Sequence, residues 1–333
     1  MRRRAAQPQM WAFLKQLWAS VAILIGFPLA GQSTPVFHDQ SDIGRELKVP
    51  VHQWSDAAAE PKGIIVAVQG LTLYGRTYDS LARHLVDRGY TVYAPDLRGF
   101  GDWRSRAAEF GGDSGVHFTQ SKEDLTNVLA ALRRRYRGMP IYCLGESLGA
   151  NYALWEASTD PQLLDGVIVA GTCYKLSLHP TPRWLVGILS GLVHPKHPLN
   201  LAPYMRPILS NDRTITEACL SDPEMCTALS ATDLIKSSIT RKHTMELIAN
   251  IPESLPILLI AGAKDKIQKT KTIPQMVKQI GSKKVTVVVL EHKGHLLFEH
   301  QQLDPEVAQT IDDWLDRNAN DTNSGLRTSQ ALP

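Results

Sequence analysis

Between residues 141 and 150 the chain reads Ile141-Tyr142-Cys143-Leu144-Gly145-Glu146-Ser147-Leu148-Gly149-Ala150. An apolar run typical of a buried strand passes through Gly-x-Ser-x-Gly into small residues that suit the start of a helix. This pattern is a nucleophile elbow, in which a strained turn between strand and helix holds a serine hydroxyl clear of the sheet. The glycines are needed because side chains at those positions would clash with the neighbouring backbone. The stretch therefore predicts Ser147 as a nucleophile.

The sequence on both sides of the elbow alternates short apolar runs with segments of helical periodicity. Strands are expected at residues 64–68, 90–94 and 164–170, and the alternation resumes at 256–261 and 285–290. Such alternation is typical of a parallel sheet with helices on both faces. The fold class predicted is α/β, with a mostly parallel sheet.

The spacing of these runs also predicts how the chain is divided. Residues 34–171 and 246–318 form the core, and residues 172–245 form a helical cap, because a structureless loop of that length is abnormal inside a compact domain. The polar residues 319–333 are expected to be disordered. Within the core, residues 46–54 are expected to supply an antiparallel edge hairpin. Ser121 and Asp124 are spaced as a capping box at the start of the helix before the elbow.

A serine nucleophile needs a base to accept its proton, and a carboxylate to orient that base. In folds with this elbow, the acid and then the histidine follow the serine along the chain, each on a loop after a strand. Asp265 follows the apolar run 257–261, and His295 follows the run 285–290. His292 competes with His295 for the role of base.

Five short blocks make the chain resemble the α/β-hydrolase superfamily, and within it the monoacylglycerol lipase and lysophospholipase branch (serine aminopeptidase S33-like), over about residues 45–318. Besides the elbow they are Gln69-Gly70-Leu71, the run from Ala94 to Gly101, Gly262-Ala263-Lys264-Asp265 and Gly294-His295. The resemblance favours His295 over His292 and implies that Asp96 is structural.

An oxyanion hole needs two backbone N–H groups aimed at the developing alkoxide. The residue after the nucleophile, Leu148, is expected to supply one of them, and the resemblance places the other at Leu71. The family commonly has His-Gly where this chain has Gln69-Gly70. That departure is expected to alter the support of the loop more than catalysis, because the donor is a main-chain group.

The cap contains an apolar segment, residues 184–193, that is too short to span a membrane. The resemblance implies that such a segment lines an acyl-chain pocket, here with Trp184, Ile188 and Leu189, or touches a lipid surface. Simple packing of the segment against the core is the alternative.

The N-terminus differs in charge from the rest of the chain. Arg2, Arg3, Arg4 and Lys15 precede or enter an apolar stretch, and the first 33 residues contain no acidic residue. Residues 1–33 therefore resemble a signal peptide or an uncleaved membrane anchor, which predicts an exported or membrane-anchored protein. Without these cations the formal charge of +3 becomes 3 − 4 = −1, so nothing calls for a nucleic-acid partner.

The chain has four cysteines, and none of their spacings resembles a zinc site. Cys219 and Cys226 could pair in an exported protein, and the sequence leaves this open. No metal or cofactor is called for.

Together these residues predict a serine hydrolase of carboxylic esters that works through an acyl-enzyme. The expected substrate is a small lipid, a lysophospholipid or a monoacylglycerol. Alternatives on the same three residues are an acyltransferase or a prolyl-type peptidase. A non-catalytic binding protein on a hydrolase fold is the alternative from a different class.

Overall fold

The computed structural model of the chain describes residues 34–176, 194–299 and 302–329, with side chains up to residue 319. The predicted signal segment, residues 1–33, lies outside the described residues. So do three candidate pocket residues, Trp184, Ile188 and Leu189. Among the described helices, none has the length and apolar character that crossing a membrane requires.

An eight-stranded sheet forms the centre of the molecule, with strand order β1-β2-β4-β3-β5-β6-β9-β10. The pairs β1–β2 and β2–β4 are antiparallel, and all other neighbours in this sheet are parallel. The predicted α/β class with a mostly parallel sheet is confirmed. The strands of this sheet are β1 (Pro35–His38), β2 (Val51–Asp56), β3 (Gly63–Val68), β4 (Tyr90–Pro95), β5 (Ile141–Glu146), β6 (Gly166–Ala170), β9 (Ile257–Gly262) and β10 (Val285–Leu290).

Both faces of the sheet are buried, because the residues of the five central strands are buried at every position rather than at alternate ones. In β3, Ile64 and Val66 belong to one buried cluster, whereas Ile65 and Ala67 belong to the other. The helices are α1 (Asp42–Leu47), α2 (Asp79–Asp87), α3 (Gly101–Ser105), α4 (Phe118–Arg135), α5 (Leu148–Thr159), α6 (Ala202–Met205), α7 (Arg213–Ser221), α8 (Ala231–Leu247), α9 (Ile273–Val277) and α10 (Pro305–Ser329).

The described part of the cap lies between β6 and β9 and is mostly helical. It contains α6, α7 and most of α8, together with a two-stranded antiparallel ribbon of β7 (Pro198–Asn200) and β8 (Ala228–Ser230). A capping box starts α8, with the Ser230 hydroxyl accepting from the Asp233 backbone N–H and the Asp233 carboxylate accepting from that of Ser230. The cap contacts the loops that follow β3, β9 and β10, through Cys226, Pro207 and Asn211 respectively.

Three local predictions were wrong. Residues 46–54 do not form a hairpin, because α1 and a left-handed Lys48 (φ 55°) occupy its first half, and β2 pairs with β1 instead. The capping-box positions Ser121 and Asp124 lie inside α4, which begins at Phe118. The segment expected to be disordered from residue 319 is helical up to Ser329, with no proline to interrupt the backbone hydrogen bonds.

Candidate active site

Ser147 lies between the end of β5 and the first residue of α5, with φ 56° and ψ −111°. Its N–H donates to the carbonyl of Ala170 on β6 at 2.9 Å, which fixes the turn against the sheet. A Cβ at Gly145 would lie 2.3 Å from the backbone of Gly149, and one at Gly149 would lie 1.8 Å from the Val68 carbonyl oxygen. The turn therefore has the strained, closely packed geometry that the sequence predicts.

Asp265 and His295 form a buried pair on the loops that follow β9 and β10. His295 Nδ1 lies 2.7 Å from Asp265 Oδ2, and the two side chains are only 2% and 1% exposed. The other oxygen of Asp265 accepts from the backbone N–H groups of Ile267 (2.7 Å) and Gln268 (2.9 Å). Three contacts thus hold the carboxylate, and the carboxylate sets the orientation of the imidazole ring.

The backbone at the end of β6 contacts both the Ser147 turn and the His295 ring. Gly171 follows Ala170, the residue that accepts the N–H of Ser147, and its Cα faces the ring so closely that a Cβ would lie 2.8 Å from His295 Cε1. His295 Nε2 is buried and has no hydrogen-bond partner among the described residues. The nitrogen opposite the Asp265 contact is therefore available to a reacting group.

The charges of the pair favour an ionised carboxylate beside a basic imidazole. Burial alone would raise the pKa of Asp265, but the charge and hydrogen bond of His295 lower it, together with the two backbone N–H groups. Burial alone would lower the pKa of His295, but the charge and hydrogen bond of Asp265, with the charge of Glu146, raise it above its usual value. His292, the competing histidine, is exposed.

The two backbone groups predicted for an oxyanion hole lie where β3 and α5 approach each other. Leu148 is the first residue of α5, so its N–H has no partner within the helix. Leu71 lies in the loop after β3, and the contact of Gly149 with the Val68 carbonyl packs the start of α5 against the end of that strand. The structure therefore packs the start of α5 against the end of the strand that leads into the Leu71 loop.

Gln69 and the cap support the loop that contains Leu71. The Gln69 amide is fully buried; it donates to the carbonyl of Leu73 and accepts from the N–H of Leu97 at 3.3 Å. From the cap, the N–H of Cys226 donates to the Thr72 carbonyl at 2.8 Å, and Asp222 accepts from the Tyr74 hydroxyl at 2.7 Å. Gln69 thus bridges the Leu73 carbonyl and the Leu97 N–H within the core.

Asp96 has a structural environment, as expected. It is 2% exposed, and its carboxylate accepts from the backbone N–H groups of Gly75 (2.6 Å) and Asp102 (2.7 Å). Nearby, Asp39, His52 and Asp102 form a group whose potential metal-ligand atoms lie within 4.8 Å of one another. Arg106 already contacts both of its carboxylates, and His52 Nδ1 contacts the Asp39 carbonyl at 2.7 Å.

Sequence reasoning missed three side chains that contact the site. Gln268, 1% exposed, accepts through Oε1 from the Cys173 N–H at 3.1 Å and from the Thr172 hydroxyl at 3.3 Å. It thereby holds the backbone that follows Gly171. The other two are Glu146, whose role the sequence left open, and Glu299. Cys219 and Cys226, whose pairing was also left open, are both free thiols.

A cavity of about 620 Å³ lies between the cap and the core. Its lining includes Leu73 from the core, Met225 from the cap and Leu296, which directly follows His295. Ser147 and His295 are not among the residues that line it. Within the described part of the chain, this cavity therefore lies beside the candidate site rather than over it.

The sheet order, the elbow and the two loops that carry Asp265 and His295 define an α/β-hydrolase fold. The chain belongs to the family described as "Serine aminopeptidase, S33", whose model matches residues 59–302. It is a hydrolase family, and the predicted family resemblance is confirmed.

Three lipases are similar to the chain at low sequence identity. The human monoglyceride lipase is 23% identical over 263 residues, which cover 75% of this chain and 80% of the relative. The monoacylglycerol lipase of Paleococcus ferrophilus superposes with a TM-score of 0.65 at 19% identity, covering 81% of this chain and 99% of the other. A soluble variant of the Saccharomyces cerevisiae monoglyceride lipase, solved with a substrate analog, superposes with a TM-score of 0.66 at 15% identity. The match covers 88% of this chain and 97% of the other.

Proposed function

We propose that the protein is a serine hydrolase of carboxylic esters and that its substrate is a monoacylglycerol or a lysophospholipid. The observation that carries the proposal is the buried Asp265–His295 pair. Its Nε2 has no partner among the described residues, and its ring packs against Gly171, next to the residue that accepts the Ser147 N–H. A hydroxyl becomes an effective nucleophile only when a correctly oriented base takes its proton.

In the proposed reaction Ser147 attacks the acyl carbonyl while His295 Nε2 takes the hydroxyl proton. The N–H groups of Leu71 and Leu148 stabilise the oxyanion of the tetrahedral intermediate. His295 then donates the proton to the departing alcohol, which leaves an acyl group on Ser147. Water, deprotonated by the same nitrogen, releases the carboxylic acid. Asp265 stays ionised and stabilises the imidazolium that forms in both halves of the reaction.

The choice of a small lipid rests on the relatives and on the cavity beside the site. Several relatives are monoglyceride lipases by name. The cavity of about 620 Å³ falls in the usual size range for small-molecule sites, and its lining combines apolar and polar residues. An acyl chain would lie in the cavity, and contact of the cap with a lipid surface would let a substrate pass from a membrane to the site.

We further propose that residues 1–33 export the protein or anchor it to a membrane. The support is the four cations, Arg2, Arg3, Arg4 and Lys15, that precede an apolar stretch, with no acidic residue among the first 33. An exported or anchored enzyme would meet its lipid substrate at a membrane surface.

The test compares Ser147→Ala with Ser158→Ala, a change near the other end of α5. Both purified variants are assayed on p-nitrophenyl esters of increasing chain length, monoacylglycerols and lysophospholipids, and labelled with a fluorophosphonate. Ser147→Ala should lose about 10³-fold or more in turnover, together with all labelling. Ser158→Ala should keep both. Retained turnover in Ser147→Ala would refute the mechanism.

Two further arms separate the alternatives that share these residues. A peptide panel tests for the peptidase activity that the family description names, and product analysis with added alcohols tests for acyl transfer. Peptide cleavage or ester synthesis faster than ester hydrolysis would overturn the assignment. A wild-type protein that neither turns over nor reacts with the fluorophosphonate would be a binding protein.

A further inference from the structure

The residue before the proposed nucleophile is a glutamate, and its side chain is completely buried. The Glu146 carboxylate accepts three backbone hydrogen bonds from the segment that follows His295. The donors are the N–H groups of Leu297 (2.6 Å), Phe298 (3.1 Å) and Glu299 (3.2 Å). Because Glu146 ends β5, these bonds tie the segment after His295 to the strand that leads into Ser147.

A second buried glutamate ties the same segment to the loop that contains Leu71. Both oxygens of Glu299 lie within hydrogen-bond distance of the Gly70 N–H, at 2.8 and 3.1 Å, and one accepts from the Thr77 hydroxyl at 3.0 Å. A Cβ at Gly70 would lie 2.9 Å from a carboxylate oxygen of Glu299, so only glycine fits this approach without displacing it. Residues far apart in sequence are thereby joined around the site.

The two buried carboxyl groups oppose each other's ionisation, because like charges in a buried site repel. Burial and the charge of Glu146 raise the pKa of Glu299 well above its usual value. Burial raises the pKa of Glu146 to about 7, against the opposing effects of His295 and the three N–H groups. The three N–H groups and His295 favour the ionised form of Glu146, whereas Glu299 accepts from one backbone N–H and one hydroxyl.

We propose that Glu146 and Glu299 are positioning residues of the hydrolytic site. Glu146 holds the segment after His295 against the strand before Ser147, and supplies a second anion that acts on the imidazolium. Glu299 extends the same attachment to the loop that carries the Leu71 N–H. This inference rests on the proposed function, because it takes Ser147 and His295 as the reacting groups.

The groups that face Glu146 allow a pH measurement to be interpreted. They are His295, Glu299, Tyr78, Cys173 and Cys219. Burial raises the pKa of both cysteine thiols to about 12, and raises that of Tyr78 well above its usual value. Asp265 is the other charge that acts on His295. Between pH 5 and 9, a shift on removing the Glu146 charge therefore reports on His295 and Glu299.

The experiment compares Glu146→Gln with Glu156→Gln in the full chain. Glu156 is an equally buried carboxylate on α5, with its pKa raised by burial to about 7, but it pairs with Lys122 at 3.2 Å, away from the site. Turnover of a p-nitrophenyl ester is measured against pH. Enzyme concentration is fixed by fluorophosphonate titration, so that unfolded protein is not counted.

Glu146→Gln should lower kcat per titrated site by about tenfold or more with KM little changed, because a small displacement of the base is costly. The acid limb of kcat/KM should move to lower pH, because loss of the anion lowers the pKa of His295. Glu156→Gln should show neither effect. A Glu146→Gln enzyme with unchanged kcat and an unmoved acid limb would overturn the inference for Glu146.

Glu299 is tested by a pair of substitutions. This pair also tests the positioning role if Glu146→Gln does not fold. Glu299→Ala should lower kcat because the Gly70 N–H loses its acceptor, and Glu299→Gln should recover part of that loss as a neutral side chain of the same size. Equal impairment in both variants would overturn the assignment of Glu299. If the wild-type enzyme shows neither turnover nor labelling, the proposed function is refuted as well. If the wild type is active and the variants give the contrary results above, only the positioning role is refuted.

Discussion

Gly171 offers a direct test of how accurately His295 must be placed. The residue has φ +56°, and a Cβ there would lie 2.8 Å from His295 Cε1 and 3.2 Å from Nδ1. In Gly171→Ala the ring must therefore retreat by about 0.7 Å or more to reach an ordinary van der Waals distance. The same movement strains the 2.7 Å contact with Asp265 and changes the approach of Nε2 to Ser147.

The expected cost follows from that displacement. A misplacement of about 1 Å in a reacting group costs about 10²-fold in rate, or about 2.7 kcal/mol of transition-state stabilisation. Alanine in a left-handed conformation adds about 1–2 kcal/mol of backbone strain, which lowers the melting temperature by a few degrees. We expect Gly171→Ala to remain folded while kcat/KM falls by about 10²-fold, measured on a short p-nitrophenyl ester.

Gly138→Ala is the matched control. Gly138 also has a positive φ (+76°), but a Cβ there would meet nothing within 4 Å. Gly138→Ala should show a similar decrease in melting temperature, and its kcat/KM should stay close to the wild-type value. If Gly171→Ala keeps wild-type kcat/KM, or if both variants lose activity equally, contact between Gly171 and the His295 ring does not set the position of the base.

Four further outcomes are expected. His295→Ala should lower kcat by about 10³-fold or more, whereas a change of the exposed His292 to Ala should cost little; equal losses would place the base elsewhere. Because Asp265 raises the pKa of His295, kcat/KM should begin to fall on acidification at a higher pH than for an ordinary histidine, and an acid limb at lower pH would contradict that charge effect. N-terminal sequencing and fractionation of native material should find residues 1–33 removed or the protein in membranes, and an intact Met1 on cytoplasmic protein would refute export. Ile188→Asp or Leu189→Asp should depress turnover of long-chain esters more than of butyrate esters, since each buried methylene contributes about 0.8 kcal/mol; a uniform drop would contradict an acyl pocket.

Sequence reasoning predicted well the features that depend on residues adjacent in the chain. The elbow around Ser147 needs glycines at fixed positions, and the buried strands need continuous apolar runs, so both can be read locally. Asp265 and His295 could be placed because each follows such a run in the expected order. Their contact at 2.7 Å matches the pairing that this order implies.

What the sequence did not give depends on partners distant along the chain. The bond between Gly70 and Glu299 joins residues 229 positions apart, and no local pattern points to it. The error at Ser121 has the same origin: its hydroxyl accepts from the Arg98 backbone N–H at 2.9 Å, and Asp124 pairs with the Arg98 guanidinium. Both side chains therefore serve a tertiary contact inside α4 rather than a helix start.

The attachment of the cap to the loop that contains Leu71 has a consequence for protein engineering. Cys226 and Asp222 belong to the cap, yet they bind Thr72 and Tyr74, which lie one and three residues after the proposed oxyanion donor. A chimaera that exchanges the cap for that of a relative would therefore disturb the core as well as the substrate pocket. Grafts that carry the matching loop, residues 70–74, with the new cap would keep these contacts, so the two segments form one unit of exchange.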